Sequence, residues 1–200
     1  FLAGEITPVT TRHGRSEVEI EHDEGVRPDT TAETLGGLTP AFQQNGTITA
    51  GNASQISDGA AAVVVMSDDE YARRSTPGIA RILSHAMVAG PDTALHSQPS
   101  HAISRALGRA GLELDALQRV EINEAFASVV VQSIRDLDID PELVNVHGGA
   151  IALGHPIGTS GTRIVGTLAR QLQSLGSTTV GAAGICGGGG QGAAMVLQAL

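Results

Sequence analysis

Residues 119–137 read RVEINEAFASVVVQSIRDL, and the change of periodicity inside this stretch decides the fold. Val120–Ile122 is a short apolar run of strand type. From Glu124 to Leu137 the apolar residues recur at helical spacing instead, which predicts a helix. A strand feeding a helix through a short polar loop is the repeating unit of α/β proteins. The alternation extends in both directions. Upstream, Ile79–Val88 reads as a strand. Ser97 or Ser100 then caps a helix running to Ala110, with Ile103 and Leu107 on one face and Gly111 as its stop. Downstream, Leu143–Val146 reads as a strand, and Ser160–Leu175 as a helix with Ile164, Val165, Leu168 and Leu172 in one stripe. Thr178–Ile185 and Ala193–Leu200 close the chain as two strands around a glycine loop. From Ile79 onward the expectation is α/β, a mostly parallel sheet covered by helices.

The N-terminal part has another character. Glu5–Thr10 and Glu17–Glu21 alternate apolar and polar residues around Arg12-His13-Gly14-Arg15, which predicts a β-hairpin. Polar, Gly- and Thr-rich sequence continues to Gly51 with few apolar side chains. It reads as an excursion packed on a larger body, not an independent domain. Ala60–Met66 (AAAVVVM) is a continuous apolar run, expected as a strand covered on both faces. Ser67-Asp68-Asp69-Glu70 then caps a short helix, its acidic residues at the positive end of the dipole.

Composition removes several classes of function. At 200 residues and 20.4 kDa the chain makes one large domain or two small ones. With 41% hydrophobic and 16% charged residues it is globular. Aromatic residues are 2%, so stacking platforms for single-stranded nucleic acid are not expected. A net charge of -9 sets the surface against nucleic acid and anionic membranes. All 12 basic residues are Arg. Without Lys there is no Schiff base, no internal pyridoxal linkage and no Walker A loop. The single cysteine, Cys186, excludes an internal disulfide and a multi-Cys zinc site, and the 7 His lack metal-ligand spacing. No run approaches a membrane span and no signal peptide opens the chain, so a cytoplasmic protein is expected. The chain starts at Phe1, as a processed, truncated or partial sequence would.

Three segments follow predicted strands, where open α/β sheets carry their sites. They are Asn123-Glu124-Ala125-Phe126, the stretch 147–158 (HGGAIALGHPIG) and Cys186 with the glycine-rich 187–192 (GGGGQG). Together they supply an amide, an imidazole, a thiol and glycine N–H groups. A thiol near N–H donors is expected to have a lowered pKa, and His155, just ahead of a helix, is expected neutral. Glycines let backbone N–H groups point at a developing oxyanion. The chemistry implied is attack on, or enolisation of, an acyl group.

At these residues the sequence resembles thiolases, in the order NEAF at 123–126, GHPIG at 154–158 and CGGGG at 186–190. GNAS at 51–54 followed by DGAA at 58–61 is similar to a fourth segment of the family. The resemblance implies an acetyl-CoA acetyltransferase, with no permanently bound cofactor and a coenzyme A thioester (acetyl-CoA or acetoacetyl-CoA) as substrate. It implies that His155, with a water held by Asn123, forms one oxyanion hole. Cys186 is implied as the acid–base cysteine, and the N–H of Gly188 as a donor in a second oxyanion hole. Ser54, Ala53 and Ala50 are implied along the pantetheine arm, Arg27 at the nucleotide end, and Phe126 beside the coenzyme. The domains implied are the end of a loop domain over residues 1–57, a returning segment of a first core domain over 58–77, and a second core domain over 78–200. The acylated cysteine of thiolases belongs to an N-terminal half without a counterpart here. The expectation is a C-terminal portion that needs that half or a partner chain, and that forms homo-oligomers.

Plainer readings stand beside these. Cys186 as a buried hydrophobe, His155 as a helix cap and Asn123 as a turn residue are each less favoured. His147 is read as loop structure, Glu124 as helix start or support of the site, and Phe126 as more often core than ligand contact. Ser54 and Arg27 are close to even. His13, His22, His85, His96 and His101 are read as solvated or structural. The glycine run leads into a strand, which excludes a dinucleotide-binding loop. Two other functions remain open: a self-contained Cys-His-Asn hydrolase, and a non-catalytic domain for binding a coenzyme A thioester or pairing with a subunit.

Overall fold

The computed structural model describes residues 1–200. Its main sheet has four strands in the order β3-β6-β5-β4. These are β3 (Ala80–Ala89), β4 (Leu117–Ile122), β5 (Val180–Gly187) and β6 (Gln191–Ala199). β4 pairs parallel with β5, and β6 pairs antiparallel with both β5 and β3. Three strands therefore run the same way and β6 alone opposes them. The expected mostly parallel direction holds, although only one neighbouring pair is parallel. The cause is the tight turn Gly188–Gly190, which can only reverse the chain and sends β6 back between β5 and β3.

Helices cover both faces. On one, α3 (Gln98–Ala110) and α4 (Ala127–Leu137) bring Ile103, Leu107 and Val129 against Val120, Ala182 and Val196. On the other, α6 (Ile157–Leu175) lays Ile164, Leu168 and Leu172 on Ala183 and Leu197. Ala182 and Ala183 serve opposite faces, as the period of two requires. The small residues of β5 explain how a core with few aromatics closes. A Cβ on Gly184 would lie 2.9 Å from Ile103 Cδ1, and one on Gly181 would lie 2.8 Å from Leu168 Cδ1. The strand accepts the helices at close range because it carries little bulk.

The N-terminal hairpin forms from β1 (Val9–His13) and β2 (Ser16–Ile20), with Val9 opposite Ile20. It is shorter than the alternation predicts. Leu2–Glu5 is a 3-10 turn, because the Glu5 carboxylate accepts from Thr167 Oγ1 at 2.7 Å instead of entering a strand. The polar stretch contains an unpredicted helix, α1 (Ala32–Gly36), closed by a reciprocal cap between Thr31 and Thr34. The helix α2 (Asp68–Arg73) forms as expected, with Ser67 Oγ accepting from Glu70 N.

Two predicted strands do not form. Ala60–Met66 is unpaired and exposed, with Val64 at 87%. Its side chains suit a strand, but no other strand lies beside it, and pairing needs a neighbour. Leu143–Val146 shrinks to one parallel bridge, Val144 to Val120. Pro141–Leu143 is a 3-10 turn, and Asn145 adopts a left-handed φ of 48° that ends extension. Its amide takes over the strand's part, with Oδ1 accepting from Ile122 N and Nδ2 donating to Ile122 O, both at 2.8 Å. The predicted helix at Glu124 starts at Ala127, since residues 125–127 first pair with residues 52–54. The next helix starts before Ser160, at Ile157, after the unpredicted short α5 (Ala150–Leu153).

A buried charge group ties β4 to α6. Glu121 Oε1 accepts from Gln171 Nε2 at 2.8 Å, and Oε2 lies 3.6 Å from Arg163 Nη1. Burial pushes the Glu121 carboxyl up to about 7, with Gln171 and Arg163 opposing and Glu124 and Glu5 reinforcing. The folded state thus binds this proton more tightly than the unfolded chain, whose carboxyl titrates near 4.5. Its stabilising effect is present below that value and is lost as pH rises through 7. At about 1.4 kcal/mol per pKa unit the loss is of order 3 kcal/mol. Denaturation midpoints between pH 5 and 8 are expected to fall with pH in the parent and to flatten in Glu121→Gln. An equal slope in both would remove Glu121 as the cause.

Candidate active site

The three loops meet at one edge of the sheet. Asn123 follows β4, its N–H donating to Gly184 O at 2.9 Å, and its side chain is fully buried. Asn123 Nδ2 lies 3.3 Å from His155 Nε2, while Asn123 Oδ1 is buried without a hydrogen-bond partner. His155 follows α5 and Gly154, which takes a φ of 97° to turn the chain. On its other side, His155 Nδ1 lies 2.6 Å from Ser160 Oγ, which is also 3.1 Å from Pro156 O. The Ser160 hydroxyl has two settings. With its hydrogen on Pro156 O, Nδ1–H donates to Ser160 Oγ and Nε2 accepts from Asn123. With its hydrogen on Nδ1, the ring proton sits on Nε2. The imidazole pKa is lowered, first by burial and then by the Arg163 charge, so the ring is neutral at pH 7 as the sequence leads one to expect.

Cys186 lies near the end of β5, opposite Gly192 of β6. It shares a cavity of about 330 Å³ with His155, Gly188, Met87, Leu95 and Ile157. Burial pushes its thiol pKa up, with a backbone hydrogen bond opposing. This reverses the expected lowering, because no cation neighbours the sulfur and desolvation outweighs the single hydrogen bond. The structure therefore gathers Cys186, His155 and Gly188 around one space, with Asn123 against the imidazole.

The excursion reaches this site through residues 52–55. Ser54 N donates to Ala125 O at 3.1 Å, and Ala53 bridges Phe126. His155 N donates to Gln55 O at 3.1 Å, and Gln55 Nε2 donates to Gly25 O at 3.1 Å. Ser54 and Ala53 are thus held beside the Asn123 loop. Ala50 and Arg27 are exposed, on the turn before it and two residues past Gly25. Phe126 packs against the core and edge-on to Phe42, with ring centres 6.0 Å apart. His147 stacks on Phe1 at 4.1 Å, away from the cavity. Sequence reading missed Ser160 and Gln55 as site contacts. Ser160 carried a signal, five residues after His155 at the predicted helix start, whereas Gln55 carried none. No group of three or more His, Cys, Asp or Glu is placed to hold a metal, and no helix is long and apolar enough to cross a membrane.

A neutral imidazole, a buried amide against it and a thiol on the same cavity thus lie together at one edge of an α/β sheet. The chain belongs to the thiolase family: the thiolase C-terminal domain model matches residues 76–199 and the thiolase N-terminal domain model matches residues 2–69. Among its relatives, a "Probable acetyl-CoA acetyltransferase" of Mycobacterium tuberculosis is 53% identical over 99% of this chain and 50% of its own length. The acetyl-CoA acetyltransferase of Escherichia coli is 45% identical over 100% of this chain and 50% of its own length. The crystal structure of the Bacillus anthracis acetyl-CoA acetyltransferase superposes with a TM-score of 0.94 at 38% identity, covering 98% of this chain and 50% of that one. Human mitochondrial 3-ketoacyl-CoA thiolase in complex with CoA superposes with a TM-score of 0.86 at 43% identity, over 92% of this chain and 46% of that one. The chain thus spans about half the length of the relatives it matches.

Proposed function

We propose that this chain supplies the oxyanion-binding and acid–base part of an acetyl-CoA acetyltransferase, which condenses two acetyl-CoA and, in reverse, thiolyses acetoacetyl-CoA. The observation that carries this reading is the convergence of Cys186, His155 and Gly188 on one cavity, with Asn123 against the imidazole. In condensation, the Cys186 thiolate takes a proton from the methyl carbon of acetyl-CoA, and the C–H electron pair passes into the enolate. His155 Nε2–H holds the enolate oxygen, with a water on Asn123 Oδ1 as second donor. The enolate carbon then bonds to the carbonyl of a cysteine-bound acetyl group, and the C–S bond to that cysteine breaks. Gly188 N–H supports that second carbonyl oxygen. In thiolysis the Cys186 thiol returns a proton to carbon. Its raised pKa keeps it protonated at rest, which suits that direction.

Cys186 is the one cysteine of the 200 residues, so the acylated cysteine comes from outside them. The bare Ala60–Met66 run, beside an open groove of about 810 Å³ along α6, supports docking of the half or partner chain that carries it. Ser54, Ala53 and Ala50 wall the pantetheine arm, Arg27 meets the nucleotide end, and Phe126, bridged to Ala53, lies beside the coenzyme. We assign residues 1–57 to a loop domain, 58–77 to a first core domain and 78–200 to a second, in a cytoplasmic homo-oligomer with no permanent cofactor. A self-contained Cys-His-Asn hydrolase is less well supported. No hydrogen bond joins either ring nitrogen of His155 to the Cys186 thiol.

Intact mass and peptide mapping after incubation with acetyl-CoA separate these readings. The chain is expected to stay unmodified. An acetyl group on Cys186 would make that sulfur the nucleophile and overturn the acid–base assignment.

A further inference from the structure

We propose that Glu124 is a positioning residue, whose carboxylate clamps the loop bearing Asn123 to the loop bearing His155. The inference rests on the oxyanion-hole reading of that pair. Glu124 Oε1 accepts from Asn145 Nδ2 and Oε2 accepts from Ile151 N, each at 3.0 Å. Asn145 is in turn paired with both backbone groups of Ile122, the residue before Asn123. Ile151 lies in α5, which ends at Leu153, two residues before His155. One carboxylate thus spans the two segments whose side chains must meet at 3.3 Å.

The surroundings are shaped for it. A Cβ on Gly149 would collide with the Glu124 carboxyl group, so glycine at this position opens the seat. The carboxylate also takes up the N–H of Ile151 in the first turn of α5, which has no side-chain cap of its own. Glutamine keeps the length but offers a single carbonyl oxygen, and its NH₂ cannot accept from Asn145. Aspartate keeps the charge but falls a methylene short. Both changes break one link of the clamp without emptying a core position.

The test reads His155 directly by imidazole ¹⁵N–¹H NMR of the purified chain across pH, in the parent, Glu124→Gln and Glu124→Asp. Arg163 of α6 and Cys186 of β5 are the charged or titratable groups around that ring, and both stay unchanged. When the loops part, the ring loses burial and the Asn123 contact. Its ¹⁵N shifts are then expected to move and its titration midpoint to rise toward the ordinary histidine value. The signals of His13, His22, His85, His96 and His101, which lie outside the clamped loops, should stay fixed. His155 shifts and midpoint matching the parent in both variants would overturn the clamp. The readout needs no turnover, so loss of the acetyltransferase reading would leave this result intact. If Glu124→Asp fails to fold, Glu124→Gln alone decides.

Discussion

Cys186→Ser, placed in an enzyme that joins this chain to its acyl-bearing half, is expected to slow exchange of the acetyl-CoA methyl protons with deuterated solvent by roughly 10²–10⁴-fold. Serine keeps the size and the backbone, so the β5–β6 turn and the cavity survive. What is lost is the proton acceptor, because a hydroxyl ionises far above any thiol. Acetylation of the other cysteine makes no use of this proton and should persist. His155→Ala is expected to slow the same exchange by a comparable factor, through loss of enolate stabilisation instead of loss of the base. The two variants separate in pH dependence. With Cys186 present, exchange should climb with pH as the raised thiol titrates, and Cys186→Ser should abolish that climb. Unchanged exchange in Cys186→Ser would remove the sulfur from the chemistry.

Much of this site was legible because its parts are local in sequence. Asn123 and Cys186 lie at the ends of β4 and β5, neighbours in one sheet, and the His155 loop follows the Val144 bridge to β4 through the short α5. Their meeting therefore follows from the order of elements. The sign of the Cys186 shift was not legible, since it depends on how tightly neighbouring chains exclude water from the sulfur. Glu124 was open to reading as a support of the site, but what it clamps was hidden for a related reason. Its partners, Asn145 and Ile151, are 21 and 27 residues away, and nothing in a local pattern selects them. Ala60–Met66 shows the converse limit. Its composition specifies strand character, but whether a strand forms depends on a neighbour, and a local reading cannot supply one. In Leu143–Val146 local backbone overrode the apolar pattern, through Pro141 and the left-handed Asn145.

Gly190→Ala is expected to be the most damaging single methyl group in the chain. Gly190 has a φ of 74°, and a Cβ there would run into the backbone carbonyl of Asp92. Backbone cannot swing aside as a side chain does, so either the turn or the segment 90–97 must move. That segment is docked by Gly90 N, which donates to Gly190 O at 2.9 Å, and it carries Leu95 into the Cys186 cavity. Combining left-handed strain with a backbone collision, a loss of about 3 kcal/mol is expected. For a chain of this size that lowers the melting temperature by roughly 6–12 °C. Gly188→Ala is the matched control in the same turn. A Cβ there meets nothing within 4 Å, and its φ lies outside the left-handed range, so its melting curve should follow the parent. The pair shares composition and location, and Gly190 differs from Gly188 both in its left-handed φ and in its approach to residues 90–97. If Gly190→Ala melted with Gly188→Ala, the segment would not be anchored at the turn, and Leu95 could not be counted as a fixed wall of the cavity.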